Sequence, residues 1–123
     1  MITFDDFLML DTSPIYVQIL LYIKRGAVAG TIRDGDELPS RRMLSARLGV
    51  NPNTVQKAYR MLEEEGLIRS HSGAKSCMVL DGDTVARLRE ELLEEDARAA
   101  VLKLKQMGVS AEEAVALIRR YWD

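Results

Sequence analysis

A chain of 123 residues that is 47% apolar and 29% charged has the composition of a folding domain, not of a disordered segment. That length corresponds to one domain, or one small domain with an appendage, and a net charge of -2 excludes a bulk polycation that coats nucleic acid or anionic lipid. One cysteine, Cys77, excludes an intrachain disulfide framework, and one histidine, His71, leaves no His/Cys cluster of metal-ligand spacing, so no cofactor is expected and a reduced, cytoplasmic setting is. The opening Met1-Ile2-Thr3-Phe4-Asp5-Asp6 is acidic where a secretory signal needs positive charge. No apolar run reaches the ~18 residues that span a bilayer, so neither export nor membrane association is expected.

The average charge conceals a partition. From Thr12 to Leu80 the chain carries about +4, from Asp81 to Asp123 about -3, and Asp5, Asp6 and Asp11 supply the rest. Three regions follow: an N-terminal arm over 1–12, a basic region over 13–80 and an acidic region over 81–123. The turn Asp81-Gly82-Asp83-Thr84 marks the last boundary, with Asp83 or Thr84 able to cap a following helix.

Pro14 behind Ser13 suits the first position of a helix, and Ile15, Tyr16, Ile19, Leu20, Ile23 and Ala27 recur at helical spacing up to Gly30. After the turn Asp34-Gly35-Asp36, Ser40 stands where an N-cap belongs, ahead of a short helix over 41–48 that Gly49 closes. Asn51-Pro52-Asn53-Thr54 then starts a third helix, closed by Gly66. Leu67-Ile68-Arg69-Ser70 and Cys77-Met78-Val79-Leu80 read as two short strands joined by a polar loop.

Two helices that meet across a tight Gly-containing turn, followed by a hairpin, form the pattern of a winged helix-turn-helix. In such a motif the second helix enters the DNA major groove, with its N-terminal side chains toward base edges and its unpaired N–H groups toward phosphate. The residue types fit. Asn and Gln pair bidentately with adenine, Thr bonds bases or meets a thymine methyl, and Arg or Lys reaches guanine or phosphate. Sequence reading is therefore expected at Asn51, Asn53, Thr54, Gln56 and Arg42, with Ser40, Arg41, Lys57 and Lys75 around them on the phosphate side.

The same residues carry a resemblance. Pro14-Ile15-Tyr16-x-Gln18-Ile19, Gly35-Asp36-x-Leu38-Pro39-Ser40-x-Arg42, Leu48-Gly49-Val50-Asn51-Pro52-Asn53-Thr54-Val55-x-x-Ala58-Tyr59 and Leu62-Glu63-x-Glu65-Gly66-Leu67-Ile68 resemble the GntR family of bacterial transcription regulators. The short C-terminal region is similar to the YtrA-type branch, whose members carry two C-terminal helices for dimerisation in place of a large effector domain. The resemblance implies DNA contact at Arg42, Asn51, Asn53, Thr54, Gln56 and the wing glycine Gly73. One segment departs from the family pattern Arg-x-Gly-x-Gly-Thr-Phe-Val: here it reads His71-Ser72-Gly73-Ala74-Lys75-Ser76-Cys77-Met78. Lys75 replaces a glycine, which implies a different loop conformation but leaves a side chain able to reach phosphate.

Other readings stand beside these. Asn51 and Asn53 are also good helix caps, and capping is compatible with DNA contact. Arg47 and Arg60 read as salt-bridging surface residues, Tyr59 as a packing residue, and Cys77 as a small buried apolar one with a thiol sensor as the sharper alternative. Glu63-Glu64-Glu65 splays around a helix and does not converge as paired carboxylates would. No catalytic grouping or phosphate loop stands out, so an enzyme is not expected.

In the acidic region, Val85, Leu88, Leu92, Ala99 and Leu102 define the stripe of a long helix over about 83–107, stopped by Gly108. Ser110 with Glu113 gives a capping-box signature for a last helix, whose apolar face includes Val115, Ile118 and Trp122. These stripes point to burial against a second copy, with a fold-back onto the chain's own first domain as the alternative. The fold expected is mainly α with a small β wing: a winged helix-turn-helix followed by a two-helix dimerisation extension. The function expected is a dimeric repressor of a palindromic double-stranded DNA operator, whose small-molecule effector, where there is one, the sequence does not identify. A winged-helix protein-interaction module without DNA binding is the rival reading.

Overall fold

The structure is a computed structural model and describes residues 1–10, 12–71 and 75–123. Two compact units divide it, Met1–Arg89 and Glu90–Asp123. Among the described residues no helix is long and apolar enough to cross a membrane.

The first unit contains helices α1 (Ile15–Ala29), α2 (Arg41–Leu48) and α3 (Pro52–Glu64), and strands β1 (Glu37–Leu38), β2 (Ile68–Ser70) and β3 (Ser76–Met78). Pro14 stands one place before α1 as its N-cap, and its carbonyl accepts from the amides of Val17 and Gln18. Gly30 ends α1 in the left-handed region at φ 84°, the conformation that favours glycine at a helix C-terminus. Ser40 caps α2 by accepting from the Met43 amide at 3.1 Å. Gly49, at φ 68°, turns the chain from α2 into α3, a backbone that a β-carbon would strain.

The strands form one antiparallel sheet in the order β1-β3-β2, with Leu38 opposite Ser76 and Ile68 opposite Met78. β1 lies in the segment that the sequence reads only as a turn and a cap. Two residues carry no alternation, and β1 exists because β3, distant in sequence, supplies its hydrogen-bond partners.

Periodicity becomes packing in this unit. α1 buries Ile19, Leu20, Ile23 and Ala27, and α3 buries Val55, Ala58, Tyr59 and Leu62, in one core with Leu38, Leu44, Leu67, Ile68 and Met78. Full burial of such side chains stabilises by about 1.5–3 kcal/mol each, before the entropy of ordering is subtracted. The N-terminal arm joins the core: Ile2 and Phe4 are buried, the Ile2 amide donates to Glu37 O at 2.8 Å, and the Phe4 ring stacks on Tyr22 at 4.8 Å. Phe4 takes φ 60°, a conformation unfavourable for a bulky residue, and the burial of its ring holds it there.

Helix α4 (Gly82–Gln106) begins in the first unit, and Leu88 on its second turn is 2% exposed among the core residues. The compact-unit boundary therefore falls inside α4 and not at the preceding turn. The cap is Asp81, whose Oδ1 accepts from the Thr84 amide at 2.8 Å, in place of the expected Asp83 or Thr84. Those bonds hold the Asp81 carboxyl below the usual range.

The second unit holds the rest of α4 and α5 (Ala111–Trp122), joined through Gly108 at φ 74°. Ser110 caps α5 by accepting from the Glu113 amide at 3.2 Å. Leu102, Val115, Ile118 and Trp122 are about half exposed or more, Ala99 is exposed, and Val85, in the first unit, is half-buried. Leu88 is corrected: a side chain already enclosed in the first unit's core has no surface left for a partner, and Leu92 at 8% exposure offers little.

Candidate nucleic-acid interface

The inward face of α3 sets its outward face. With Val55, Ala58, Tyr59 and Leu62 in the core, the 3.6-residue period turns Asn53, Gln56, Lys57 and Arg60 to solvent, with Thr54 half-buried at the edge. Asn51 is the N-cap, and its Oδ1 accepts from the Asn53 amide at 2.8 Å. The carboxamide oxygen thus serves the cap, leaving Asn51 its NH2 as the group best placed to donate to an outside acceptor. Asn53 and Gln56, exposed and not needed for capping, keep both a donor and an acceptor for a base edge.

Helix α2 brings Ser40, Arg41 and Arg42 to its own N-terminus. No acidic residue occupies the first turn of α2 or of α3. Two arginines at the positive end of a helix oppose its macrodipole, at a cost of about 0.3–1 kcal/mol each, and an anion placed there reverses the sign. Arg42 is exposed. Arg41 is half-buried, its guanidinium carbon 5.2 Å from the centroid of the Tyr59 ring, and its Nε is enclosed without a hydrogen-bond partner among the described residues. Tyr59 is fixed in turn by its hydroxyl, which donates to Pro39 O at 2.7 Å. Burial raises the Tyr59 hydroxyl pKa well above its ordinary value, and the nearby Arg41 charge opposes that rise only in part.

Among the unit's cations, some pair with a carboxylate and some do not. Lys24 pairs with Glu65 at 2.8 Å, Arg60 with Glu64 at 4.0 Å, and Arg47 with Asp5 on the arm. Arg41, Arg42, Lys57 and Lys75 have no such carboxylate among the described residues; Lys57 instead has its Nζ 4.1 Å from the Tyr16 ring centroid. In the wing, the His71 amide donates to Lys75 O at 2.8 Å, and both side chains are exposed. Among the described residues Phe4 alone of the non-glycine residues has positive φ, so Lys75 does not lie in the left-handed region that favours glycine. Gly73 lies outside the described residues. Cys77 is half-buried on the central strand.

The structure thus gathers Ser40, Arg41, Arg42, Asn51, Asn53, Thr54, Gln56 and Lys57 on the two helices that meet at Gly49, with Lys75 at the wing. Sequence reasoning placed Tyr16 only in the apolar stripe of α1 and missed its contact with Lys57. Helical spacing within α1 carries no signal for a partner on α3.

Comparison with known proteins agrees with this geometry. Residues 15–76 match the family of bacterial regulatory proteins described as the gntR family. The chain is 30% identical to the HTH-type transcriptional regulator YhcF of Bacillus subtilis, over 91% of this chain and 93% of that one. It is 32% identical to the HTH-type transcriptional repressor YtrA of the same organism, over 83% of this chain and 79% of that one. A GntR family transcriptional regulator from Listeria monocytogenes superposes with a TM-score of 0.77 at 31% identity, covering 91% of this chain and 98% of that chain. The chain belongs to the gntR family of bacterial regulatory proteins, in its YtrA-type branch, and is a DNA-binding transcription regulator with a winged helix-turn-helix.

Proposed function

We propose that the protein works as a homodimeric repressor that reads a palindromic operator. In this reading α3 enters the major groove, with Asn53, Gln56 and Thr54 toward base edges and Arg42 reaching guanine or phosphate. Asn51, Arg41, Lys57 and Lys75 fix the register on phosphates, and the α2 N-terminus capped by Ser40 offers its amides to another. The observation that carries the reading is the pair of helix N-termini without an acid in either first turn, beside cations that lack carboxylate partners among the described residues. The repressor printed in the name of the Bacillus subtilis relative supports the direction of control.

The dimer rests on the second unit. Val101, Leu104, Ala114, Val115 and Ile118 help line an apolar groove of about 280 Å³ between α4 and α5, and Leu102, Tyr121 and Trp122 on the same two helices are exposed. Ala99, Leu102, Val115, Ile118 and Trp122 remain the proposed seam, and a second copy covers it with two-fold symmetry, as a palindrome requires.

Sedimentation of the chain at micromolar concentration gives the mass of two copies. Titration with selected and scrambled duplexes shows preference for the selected one, and Asn53→Ala narrows that preference by about 1–3 kcal/mol. A one-chain mass refutes the dimer, and equal affinity of the wild type for both duplexes refutes sequence reading.

A further inference from the structure

We propose that Tyr16 is a positioning residue for DNA binding, holding the Lys57 ammonium in its working place while leaving its charge available to a phosphate. The proposal rests on the DNA-facing reading of α3 given above. Tyr16 lies in the first turn of α1, half-buried against the core, and α1 packs on α3. Its ring centroid is 4.1 Å from Lys57 Nζ, well inside the roughly 6 Å at which a cation is drawn to an aromatic face. An exposed lysine otherwise samples many rotamers, and ordering it on a phosphate costs entropy at the moment of binding. A lysine already seated on a ring has lost much of that freedom beforehand.

The kind of partner matters as much as its presence. Lys24, Arg47 and Arg60 are held by carboxylates, which neutralise a cation and must be displaced before a phosphate takes their place. A ring presents only a weak quadrupole to one side of the ammonium, and its three donors are not all consumed. Arg41 over the Tyr59 ring repeats the arrangement on α2. The two aromatic-held cations therefore lie on the two helices of the helix-turn-helix that bring the proposed contacts together.

The test uses the full chain and a mixed-sequence DNA duplex over a salt series, since phosphate contacts dominate sequence-independent binding. Tyr16→Leu is expected to weaken binding about two- to fivefold, the size of an exposed cation–π contact. Tyr16→Phe, which keeps the ring, restores the wild-type affinity. Lys57→Ala lowers the slope of log affinity against log salt by about one, whereas Tyr16→Leu leaves the slope unchanged because the charge is still present. In a Lys57→Ala background Tyr16→Leu has no further effect. An equal loss in both backgrounds, or no loss in either, overturns the proposal while leaving the DNA-facing reading intact. A wild-type slope that Lys57→Ala does not change removes that reading, and the proposal with it.

Discussion

Helix α2 opens on Arg41 and Arg42 with no acid in its first turn, whereas α5 opens on Glu112 and Glu113 and ends on Arg119 and Arg120. The second arrangement satisfies the helix macrodipole within the chain, and the first works against it. Burial runs the other way: α2 encloses Leu44 and Ser45, whereas no residue of α5 is buried and Ile118 and Trp122 are 51% and 80% exposed. Each region leaves one kind of interaction open. The helix-turn-helix holds cations without an anion, and the two-helix region holds apolar surface without a cover, so the physical character of each deficit names its partner.

The largest effect expected from disturbing this contrast is in the second unit. Val115→Asp combined with Ile118→Asp puts charge on the proposed seam, and sedimentation should then give the mass of one chain. Operator affinity should fall by about 10²–10⁴-fold, the gain that two linked half-sites supply. Next comes the α2 N-terminus. Arg42→Glu should abolish measurable operator preference in a binding titration, yet raise stability in urea unfolding by about 0.3–1 kcal/mol, because an acid suits that end of the helix. Opposite signs for binding and folding are what separate a residue held for a partner from one held for the fold.

Smaller effects should be alike in the two regions, which use the same capping device. Ser40→Ala and Ser110→Ala each remove an acceptor for an orphan amide and should cost about 1 kcal/mol in denaturant unfolding. The smallest are two pH effects at opposite ends of the scale. Burial and the hydrogen bond to Asp6 push the Tyr22 hydroxyl up to about 12. The folded state therefore holds that proton more tightly than the unfolded one, and stability should decline as pH rises from about 10 to about 12. Asp81 is lowered by its bonds from Thr84, so its contribution is present above the ordinary carboxylate range and is lost only as pH falls through the folded-state value. Unfolding titrations of Tyr22→Phe and Asp81→Ala check both.

What was legible in the sequence was local. Ser40, Gly49, Asn51 and Ser110 punctuate helices through bonds to residues two to four places away, so the caps and the turn at Gly49 could be read directly. The apolar face of α3 followed from its period, and with it the outward set Asn53, Gln56 and Lys57. What was not legible depends on distant partners. Two-residue β1 exists through β3, and Phe4 enters the core against Tyr22 at a φ that no sequence pattern announces. The rings beneath Lys57 and Arg41 belong to other helices. Leu88 shares the stripe of Leu102, and periodicity alone does not show where along α4 that stripe leaves a core and meets solvent.

The most direct measurement is selection of bound duplexes from a random pool by the full chain. A homodimer that reads a palindrome should enrich inverted half-sites whose centres lie about one helical turn apart, roughly 34–36 Å, or a multiple of it. Enrichment of a single unpaired half-site, or no enrichment at all, would contradict that reading.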